Sequence, residues 1–533
     1  MKIKVGVIYG GETVEHEVSI ISAIQAMNNL DEEKYEIIPI YISKDRIWYT
    51  GHVLREMDFY KHFEDEKKYA KEVSLCKKGK MFILQKTNGL FRKDITDLDI
   101  ILPVVHGNNV EDGTLAGLLD SIGIPYVGSH VLGSALGQDK VVMKQVMSSV
   151  GIPVVDYTWF FDNEYLENKD EILDKIKKVG YPVVVKPATL GSSVGITLVH
   201  DSKRIEEAIE EAISYDTKVV VEKAVDGKEY IIHLAAETGT GQSMYRINQY
   251  NDVNIMGTSN LLQVISSKGE DSKVKKILLS SSRSVYGEGK YSCPNCGIVY
   301  PKSRKKETML NKDFNLYCDK CGEKLTLLPT TEDSVIIPGS LYAYTKYAQE
   351  KMLQTMCPAL GIDYTIFRFQ NVYGVGQSLK NPYTGILSIF STLLLENKSV
   401  NIFEDGLESR DFINVVDIAK GVIAAIDNAK SNSEIINLGS GVGTSVIDIA
   451  NMLKEIYDSN SDINITGDFR IGDIAHNIAD IQKAEDILGF KQTISLREGL
   501  TQFCQWVLGE DKDNSGYENS LIEMEKAGMF IRG

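Results

Sequence analysis

The sequence of 533 residues lacks three features that would each define a class of protein. It has no excess of positive charge, because 58 lysines and arginines against 74 aspartates and glutamates leave a formal net charge of −16. A nucleic-acid or anionic-membrane binder normally carries a basic patch or stripe, so we expect neither partner. No apolar run approaches the roughly 18 residues that span a bilayer, and the N-terminal apolar stretch is too short for a signal peptide. We therefore expect a cytoplasmic protein without membrane attachment.

The residues that are present indicate a globular α/β protein with several domains. Hydrophobic residues make up 43% of the chain and charged residues 25%, which excludes wholesale disorder. The chain is too long for one domain. Short β-rich runs alternate with helical ones over the first 230 residues, and this alternation predicts parallel sheets flanked by helices. Residues 60–80 are highly charged and are predicted to be irregular, and a different α/β arrangement is predicted after residue 229.

Four of the seven cysteines form two Cys-x-x-Cys pairs, each followed by glycine. The pairs are Cys293/Cys296 and Cys318/Cys321. In a chain without an export signal, such pairs indicate metal ligands rather than disulfides. Four thiolates at this spacing suit tetrahedral Zn²⁺ in a closed structural site. We predict a zinc-ribbon insert at about residues 290–328; four free thiols in a loop are the alternative.

Three local features of the first half suit a phosphate ligand. Lys186 ends a run of valines, a glycine-serine loop with Ser192 and Ser193 follows it, and Glu222 and Glu229 lie near the end of a later predicted strand. Unencumbered backbone N–H groups in such a loop favour a phosphate. Each feature taken alone is also typical of a surface lysine or a flexible turn.

Several segments taken together carry a more specific signal. They are GGETVEHEVSIISA, HGNNVEDGTLAGLLDSIGIPYVGS, SALGQDKVVMKQVM and VVVKPATLGSSVGI. On these segments, residues 1–229 resemble the D-alanine–D-alanine ligases of the ATP-grasp superfamily. The resemblance implies a Rossmann-like pre-ATP-grasp domain at residues 1–132 and the first part of an ATP-grasp domain at residues 133–229. It also implies ATP, Mg²⁺ and D-alanine as ligands, with an acyl phosphate that a second D-alanine attacks.

The same resemblance implies roles for individual residues. The residues implied to contact ATP are Lys140, Lys186, Ser193, Glu222 and Glu229. The residues implied to act in catalysis or beside the substrates are Glu15, Ser192 and His106. The second ATP-grasp lobe, which would carry the magnesium ligands, does not follow residue 229 in this sequence. We therefore expect the lobe that contacts ATP to be present and the lobe that binds the magnesium ions to be missing.

A second set of candidate residues lies in the other half of the chain. Tyr342 and Lys346 are four residues apart at the start of a predicted helix, which places them on one face. A nearby cation lowers the pKa of a phenol toward that of a useful general base. Ser282, at the end of a predicted strand, could supply a hydrogen bond to the reacting oxygen. Taken alone, a Tyr-x-x-x-Lys pair is also compatible with chance or packing.

The surroundings of this pair form a second resemblance. The segments that carry it are HLAAETGTGQSM, NIMGTSNLL, LLSSSRSVYGEG, SLYAYTKYAQE, FRFQNVYGVGQS, GLESRDFINVVDIAKG and NIADIQKAEDILGF. On them, residues 230–533 are similar to NAD-dependent nucleotide-sugar epimerases, which are extended short-chain dehydrogenase/reductases with a Rossmann-type NAD-binding domain. The cysteine insert looks like that of the dTDP-L-rhamnose 4-epimerase branch.

This resemblance implies that Tyr342 removes a sugar hydroxyl proton while hydride passes to NAD⁺. Lys346 would hold the nicotinamide ribose and lower the pKa of Tyr342, and Ser282 would stabilise the moving proton. The residues implied to contact NAD or the substrate are His233, Asn254, Asn371, Arg410 and Arg470. The two arginines would clamp the diphosphate, a task that suits the guanidinium fork.

The sequence also departs from the epimerase pattern. The strand and Gly-x-x-Gly-x-x-Gly turn that grip the NAD pyrophosphate are missing before residue 230, and the glycines at 439–443 lack that spacing. We interpret the chain as a fusion of a partial epimerase with the front half of a ligase. A D-alanine–D-alanine ligase and a non-catalytic fusion with residual nucleotide and zinc binding are the alternatives. The expected partners are a nucleotide sugar and D-alanine, with a homodimer as the candidate assembly.

Overall fold

The computed structural model describes residues 2–88, 92–191, 193–379, 385–510 and 515–533. The chain divides into two compact units, one ending at Asp226 and the other extending from Gly227 to Gly533. The sequence places the change of architecture three residues later, at 229. None of the described helices combines the length and the apolarity that a membrane crossing requires.

The first unit contains eleven strands and nine α-helices among its described residues. The strands are β1 (Ile3–Gly10), β2 (Tyr35–Ile42), β3 (Trp48–Thr50), β4 (Lys71–Lys78), β5 (Met81–Lys86), β6 (Asp94–Leu98), β7 (Ile100–Pro103), β8 (Tyr157–Phe161), β9 (Val183–Pro187), β10 (Thr197–Val199) and β11 (Lys218–Lys223). The helices are α1 (His16–Asn29), α2 (Met57–Lys61), α3 (Phe63–Glu66), α4 (Thr114–Ile122), α5 (Val131–Gln138), α6 (Lys140–Ser149), α7 (Asp162–Glu167), α8 (Lys169–Val179) and α9 (Ile205–Ile213).

The second unit contains the remaining described elements. The strands are β12 (Glu229–His233), β13 (Val274–Ser282), β14 (Tyr291–Cys293), β15 (Gly297–Val299), β16 (Thr326–Leu327), β17 (Asp363–Phe369), β18 (Asn371–Tyr373), β19 (Val400–Ile402), β20 (Ser409–Asn414), β21 (Glu434–Leu438), β22 (Gly443–Ser445), β23 (Ile463–Ile465), β24 (Phe469–Arg470), β25 (His476–Asn477) and β26 (Phe530–Ile531). The helices are α10 (Thr240–Ser243), α11 (Ile247–Tyr250), α12 (Gly257–Lys268), α13 (Lys306–Leu310), α14 (Leu341–Ala359), α15 (Ile386–Leu395), α16 (Val415–Ile426), α17 (Val446–Ile456), α18 (Gln482–Leu488), α19 (Leu496–Leu508) and α20 (Ser515–Lys526).

The N-terminal sheet of the first unit has seven strands in the order β6-β5-β4-β3-β2-β1-β7. Strand β1 pairs in parallel with β2 and β7, as the alternation of strands and helices predicts. The other pairings are antiparallel. The prediction that residues 60–80 are irregular is wrong in its second half, because β4 occupies residues 71–78. Val73 is 3% exposed in this strand, and its apolar side chain packs in the sheet's core although charged residues surround it in sequence.

The second sheet of the first unit has the order β10-β9-β11-β8. The prediction of a parallel sheet is wrong here, since β11 runs antiparallel to both β8 and β9. Burial alternates along β9, as is typical of an antiparallel sheet that packs one face against a core. Helix α9 contributes to that core through Ile205 and Ile209, which cluster with Val185 and Val221.

The main sheet of the second unit is parallel throughout, in the order β12-β13-β17-β21. Apolar clusters built from its two faces contain α12 and α14 in one case and α16 and α18 in the other. Separate small sheets join β18, β20, β22 and β25, while β15-β14-β16 form the antiparallel sheet of the cysteine insert. Functional groups in such parallel α/β sheets collect at the carboxyl ends of the strands.

Candidate functional site

A cavity of 510 Å³ lies at the carboxyl ends of β13 and β17 in the second unit. Ser282 is the last residue of β13, and Gln370 and Asn371 directly follow β17. The cavity is also lined by Tyr342 from the first turn of α14 and by Arg410 from β20. The sheet thus brings together candidate residues that are separated by up to 128 positions in sequence.

Tyr342 is held at the cavity by the N-terminal cap of α14. The Ser340 hydroxyl accepts a hydrogen bond from the Ala343 N–H at 3.2 Å, which is the usual device for starting a helix. Burial raises the pKa of the Tyr342 phenol, while a hydrogen bond with Ser282 and the positive charge of Arg283 act in the opposite direction. Arg283 is thus a cation that favours the phenolate, and the effect of Lys346 expected from the sequence stays a prediction.

Lys346 is 2% exposed, and its ammonium donates a hydrogen bond to the Ser280 carbonyl at 2.7 Å. Burial lowers the pKa of Lys346 to about 8, and the negative charge of Glu350 partly offsets this. Lys346 therefore helps to hold helix α14 against strand β13 in this structure. Its proposed contact with a nicotinamide ribose stays a prediction.

A buried ion pair supports this side of the site. Arg368 donates hydrogen bonds from Nε and Nη2 to the two carboxylate oxygens of Glu350, at 3.0 and 2.8 Å. Their side chains are 2% and 0% exposed, and the Ser281 hydroxyl also donates to Glu350. Helix α14 is thereby joined to β13 and β17, the strands whose ends carry the cavity residues.

The opposite end of the cavity carries an arginine cluster. Arg410 lies 3.7 Å from the Asp473 carboxylate, and its Nη1 donates to the Ala475 carbonyl at 2.8 Å. Arg470 stacks over the Phe403 ring at 5.0 Å. Desolvation acts to raise the pKa of Asp473, but Arg410, Arg470 and other arginine charges outweigh it and lower that pKa. The cluster has the charge and the fork geometry that suit a diphosphate.

Several buried polar atoms of the cavity lining have no hydrogen-bond partner among the residues that the structure describes. These atoms are Gln370 Nε2 and Oε1, Asn371 Oδ1, Gln377 Oε1, Glu408 Oε2, Arg283 Nη1 and Arg470 Nε. Leaving a buried polar atom unpaired costs about 1–3 kcal/mol. The concentration of such atoms around one cavity indicates a ligand with many oxygen and nitrogen groups.

Glu408 has the most perturbed carboxyl group among these cavity residues. It is 8% exposed. Burial is the main cause that raises its pKa to about 8; the charge of Glu404 adds to the effect and that of Arg410 opposes it. Near neutral pH, this side chain is mostly a neutral acid that can donate a hydrogen bond into the cavity.

The residues predicted to contact NAD make hydrogen bonds within the protein, and their contact with NAD stays a prediction. His233 Nε2 lies 2.9 Å from the Thr258 hydroxyl, and Asn254 hydrogen-bonds to the Glu237 N–H at 2.8 Å and to the Thr345 hydroxyl at 2.9 Å. These contacts fix the π-helical turn Asn251–Met256 and helix α12 against α14. The two residues thus belong to the scaffold beside Lys346 in the described structure.

The glycine loop at residues 439–443 is occupied by a carboxylate of the chain itself. The N–H groups of Ser440 and Gly441 donate to Asp411 at 2.7 and 3.0 Å. A Cβ at Gly439 would come within 2.6 Å of the same carboxylate. These amides are therefore already used. This loop therefore offers no free amides to a phosphate at these two positions.

The four paired cysteines converge as the spacing predicts. All four Sγ atoms lie within 4.8 Å of one another, and those of Cys293 and Cys321 are 3.4 Å apart. Tetrahedral zinc with Zn–S bonds of 2.3 Å requires sulfur–sulfur distances of about 3.8 Å. The donor set therefore fits Zn²⁺, and all four ligand positions would be filled by protein. No other group of three or more cysteine, histidine or carboxylate ligands occurs among the described residues.

The first unit brings three lysines and one carboxylate together beside β9 and β11. Glu222 pairs with Lys186 and, at 2.8 Å, with Lys144. Burial lowers the pKa of Lys140, and the positive charge of Lys186 lowers it further. Lys144 lies one helical turn beyond Lys140 on α6, a spacing that could have identified it from the sequence. An excess of partly buried positive charge at one place suits a polyphosphate.

The other candidates of the first unit lie in loops. Glu15 approaches the backbone so closely that a Cβ at Gly107 or Gly191 would lie 2.8 or 3.6 Å from its carboxylate. His106 Nε2 is 3.1 Å from the Ser22 hydroxyl. Ser193 takes a left-handed backbone conformation at φ 59°. Ser192 lies outside the described residues. Glu229 is the first residue of β12 and therefore belongs to the second unit.

Family comparisons match both halves of the chain. The family "D-ala D-ala ligase N-terminus" matches residues 4–129, and "D-ala D-ala ligase C-terminus" matches residues 146–254. The "NAD dependent epimerase/dehydratase family" matches residues 319–439, and "GDP-mannose 4,6 dehydratase" matches residues 216–299. The two sets of matches overlap at residues 216–254, the region where the structure changes from one unit to the next.

Curated relatives show the same division. A dTDP-L-rhamnose 4-epimerase from Burkholderia thailandensis is 37% identical over 288 residues, which are 54% of this chain and 77% of that protein. A D-alanine–D-alanine ligase from Natranaerobius thermophilus is 38% identical over 270 residues, 50% of this chain and 72% of that protein. Among solved structures, a UDP-glucose 4-epimerase from Thermotoga maritima with UDP-glucose is 28% identical, covers 58% of this chain and 83% of that chain, and has a TM-score of 0.42.

The two units of the chain therefore match two different families of proteins. The chain belongs to the D-alanine–D-alanine ligases through its N-terminal region and to the NAD-dependent nucleotide-sugar epimerases through its C-terminal region. It is a fusion of the two, and the interpretation reached from the sequence is confirmed.

Proposed function

We propose that the second unit binds a nucleotide sugar in its 510 Å³ cavity, with the diphosphate against Arg410 and Arg470 and the sugar beside Tyr342 and Ser282. The observation that carries this proposal is the set of buried polar atoms around the cavity that have no hydrogen-bond partner in the described part of the chain. These atoms would regain partners on a ligand that is rich in hydroxyl, phosphate and carbonyl groups.

In this arrangement the chemistry available to the chain is proton transfer at Tyr342. The phenolate would accept a proton from a sugar hydroxyl, with Ser282 hydrogen-bonded to the same oxygen and Arg283 favouring the negative charge. NAD supplies hydride transfer in epimerases of this family, but the glycine-rich turn that would grip its pyrophosphate does not precede residue 230. We therefore propose a unit that recognises the substrate of a 4-epimerase and turns it over poorly or not at all.

The test is titration of the purified chain with UDP-glucose and dTDP-glucose by calorimetry. We expect saturable binding of at least one of them with one site per chain. Replacing Arg470 with glutamine should weaken binding about tenfold or more, because a charge-assisted contact to the diphosphate is worth about 1.5–3 kcal/mol. Lys302→Gln, a change at an exposed lysine of the insert, is the matched control. If neither ligand binds, the proposal is wrong.

A second candidate function is ATP binding by the first unit, favoured by the cluster of Lys140, Lys144 and Lys186. ATP should bind, and Lys140→Gln should weaken it. The second ATP-grasp lobe that would carry the magnesium ligands does not follow residue 229, so D-alanine-dependent ADP release is expected to be absent. ADP release that requires D-alanine would instead establish the ligase activity.

The zinc site is proposed as structural, because four cysteines leave no position for a reacting water.

A further inference from the structure

The cysteine insert, residues 290–328, packs against one wall of the cavity. We call residues 469–476 the clamp segment; its Arg470 and Asp473 line the cavity at the diphosphate end. The insert contacts this segment at three separate points: a buried arginine, a cluster around the cysteines and a pair of phenylalanines. The insert is therefore joined to the site as well as to the metal.

The first contact is a single guanidinium with three sets of partners. The side chain of Arg304 is 2% exposed. Its Nη2 donates to the Asp473 carbonyl at 3.1 Å and to the Glu404 carboxylate at 2.9 Å, and a second hydrogen bond from Nη1 also reaches Glu404. Its Nε lies 3.7 Å from Glu288, which accepts a hydrogen bond from the Ala475 N–H at 2.9 Å. Arg304 thus contacts the clamp segment directly at Asp473 and, through Glu288, at Ala475.

The other two contacts are apolar. Ala475 is 2% exposed and belongs to the same buried cluster as Cys293 and Cys318, two of the four converging cysteines. Phe469 is fully buried and packs against Met309 and Phe314 of the insert, with the Phe314 and Phe469 rings 6.4 Å apart. Arg470, the next residue, therefore projects into the cavity from a backbone whose position is set by the insert.

We propose that the cysteine insert is a positioning element of the nucleotide-sugar site and that Arg304 is its principal positioning residue. Ordering of the insert by metal fixes the clamp segment, and the clamp segment presents Arg470 and Asp473 to the diphosphate. By linkage, metal and nucleotide sugar then strengthen each other's binding by the same factor. The identity of the ligand in this inference rests on the proposed function of the cavity. The coupling between the insert and the clamp segment does not, and it can be measured without a ligand.

The coupling is tested by hydrogen exchange of the ligand-free, zinc-loaded chain. Arg304→Gln should increase deuterium uptake in peptides covering residues 469–476, and removal of zinc with a chelator should do the same. The double variant Arg304→Gln/Glu404→Gln removes the Glu404 charge together with the arginine that pairs with it, so it guards against simple misfolding and should show the same local increase. Lys302→Gln should match the wild type. Unchanged uptake at residues 469–476 in both Arg304 variants would overturn the inference, whether or not the cavity binds a nucleotide sugar.

The effect on the site is tested by calorimetry with UDP-glucose and dTDP-glucose on the same proteins. Where the wild type binds, the Arg304 variants should bind about tenfold more weakly or worse, because small misplacements of a binding group are costly. The zinc content should stay at one per chain in Arg304→Gln, which separates lost positioning from lost metal. Equal affinity in the wild type and the variants would contradict the inference. Absence of binding in the wild type would contradict the proposed function and leave the exchange result to decide the coupling.

Discussion

Replacing Glu408 with glutamine is expected to make the second unit more stable than the wild type at alkaline pH. The carboxyl lies 8% exposed beside Glu404 and Arg410, and burial raises its pKa from an ordinary 4.5 to about 8. The folded chain therefore binds a proton at this group more tightly than the unfolded chain does. A raised carboxyl pKa means that stability is fully present below pH 4.5 and is lost as the pH rises toward and through 8.

The magnitude follows from the two pKa values. Each pKa unit corresponds to about 1.4 kcal/mol, so ionising Glu408 in the folded state costs up to about 5 kcal/mol at pH 9. Glutamine resembles the neutral acid in shape and does not ionise. The free energies of unfolding of Glu408→Gln and wild type should therefore converge near pH 5, and the variant should become progressively more stable above that pH.

The assay is urea unfolding between pH 5 and pH 9, followed by the fluorescence of Trp506 in α19. Trp48 and Trp159 of the first unit are replaced by phenylalanine in all proteins, so that the signal reports the second unit. Glu485→Gln, at an exposed helix position, is the control and should run parallel to the wild type, since surface charges contribute little. The reasoning would be refuted if the difference in free energy of unfolding between Glu408→Gln and the wild type stays constant within about 1 kcal/mol from pH 5 to pH 9.

Three further outcomes are expected. Glu350→Gln should destabilise the second unit by about 3–5 kcal/mol in the same assay, because it leaves Arg368 as a buried charge without its full partner; a loss under about 1 kcal/mol would contradict the pairing. Tyr342→Phe should bind UDP-glucose or dTDP-glucose within about threefold of the wild type, because the hydroxyl serves proton transfer and the diphosphate carries the affinity; loss of binding would assign Tyr342 a different role. Cys318→Ser should lower zinc from one per chain toward zero by elemental analysis, and full retention would contradict the four-cysteine site.

The sequence predicted those parts of the molecule in which a local pattern dictates the geometry. The spacing of the four cysteines required their convergence, and the strand ahead of Ser282 predicted that this residue lies at a sheet edge with Tyr342. The direction of strand pairing could not be predicted in the same way. The run of valines before Lys186 predicts a strand, but its antiparallel pairing with β11 depends on contacts with a segment more than 30 residues away. Local alternation cannot specify that choice.

The charges that tune the cavity were also beyond sequence reasoning, because they come from distant positions. Arg283 follows Ser282 directly and could have been considered, yet its effect on Tyr342 depends on burial of both groups. Arg304 lies within a segment that the cysteines identify only as a metal insert. Its contact with Asp473 joins residues 169 positions apart, and no periodic pattern in the sequence predicts that contact.

Turnover and binding measured on one sample test the account most directly. The purified chain is mixed with UDP-glucose or dTDP-glucose at saturating NAD⁺, binding is recorded by calorimetry, and inversion at the sugar C4 is followed by NMR. The account predicts one nucleotide-sugar site per chain and no inversion above background, because the cavity is formed while the glycine-rich turn that grips NAD in this family does not precede residue 230. Inversion at about 1 s⁻¹ or faster, an ordinary enzymatic rate, would contradict it.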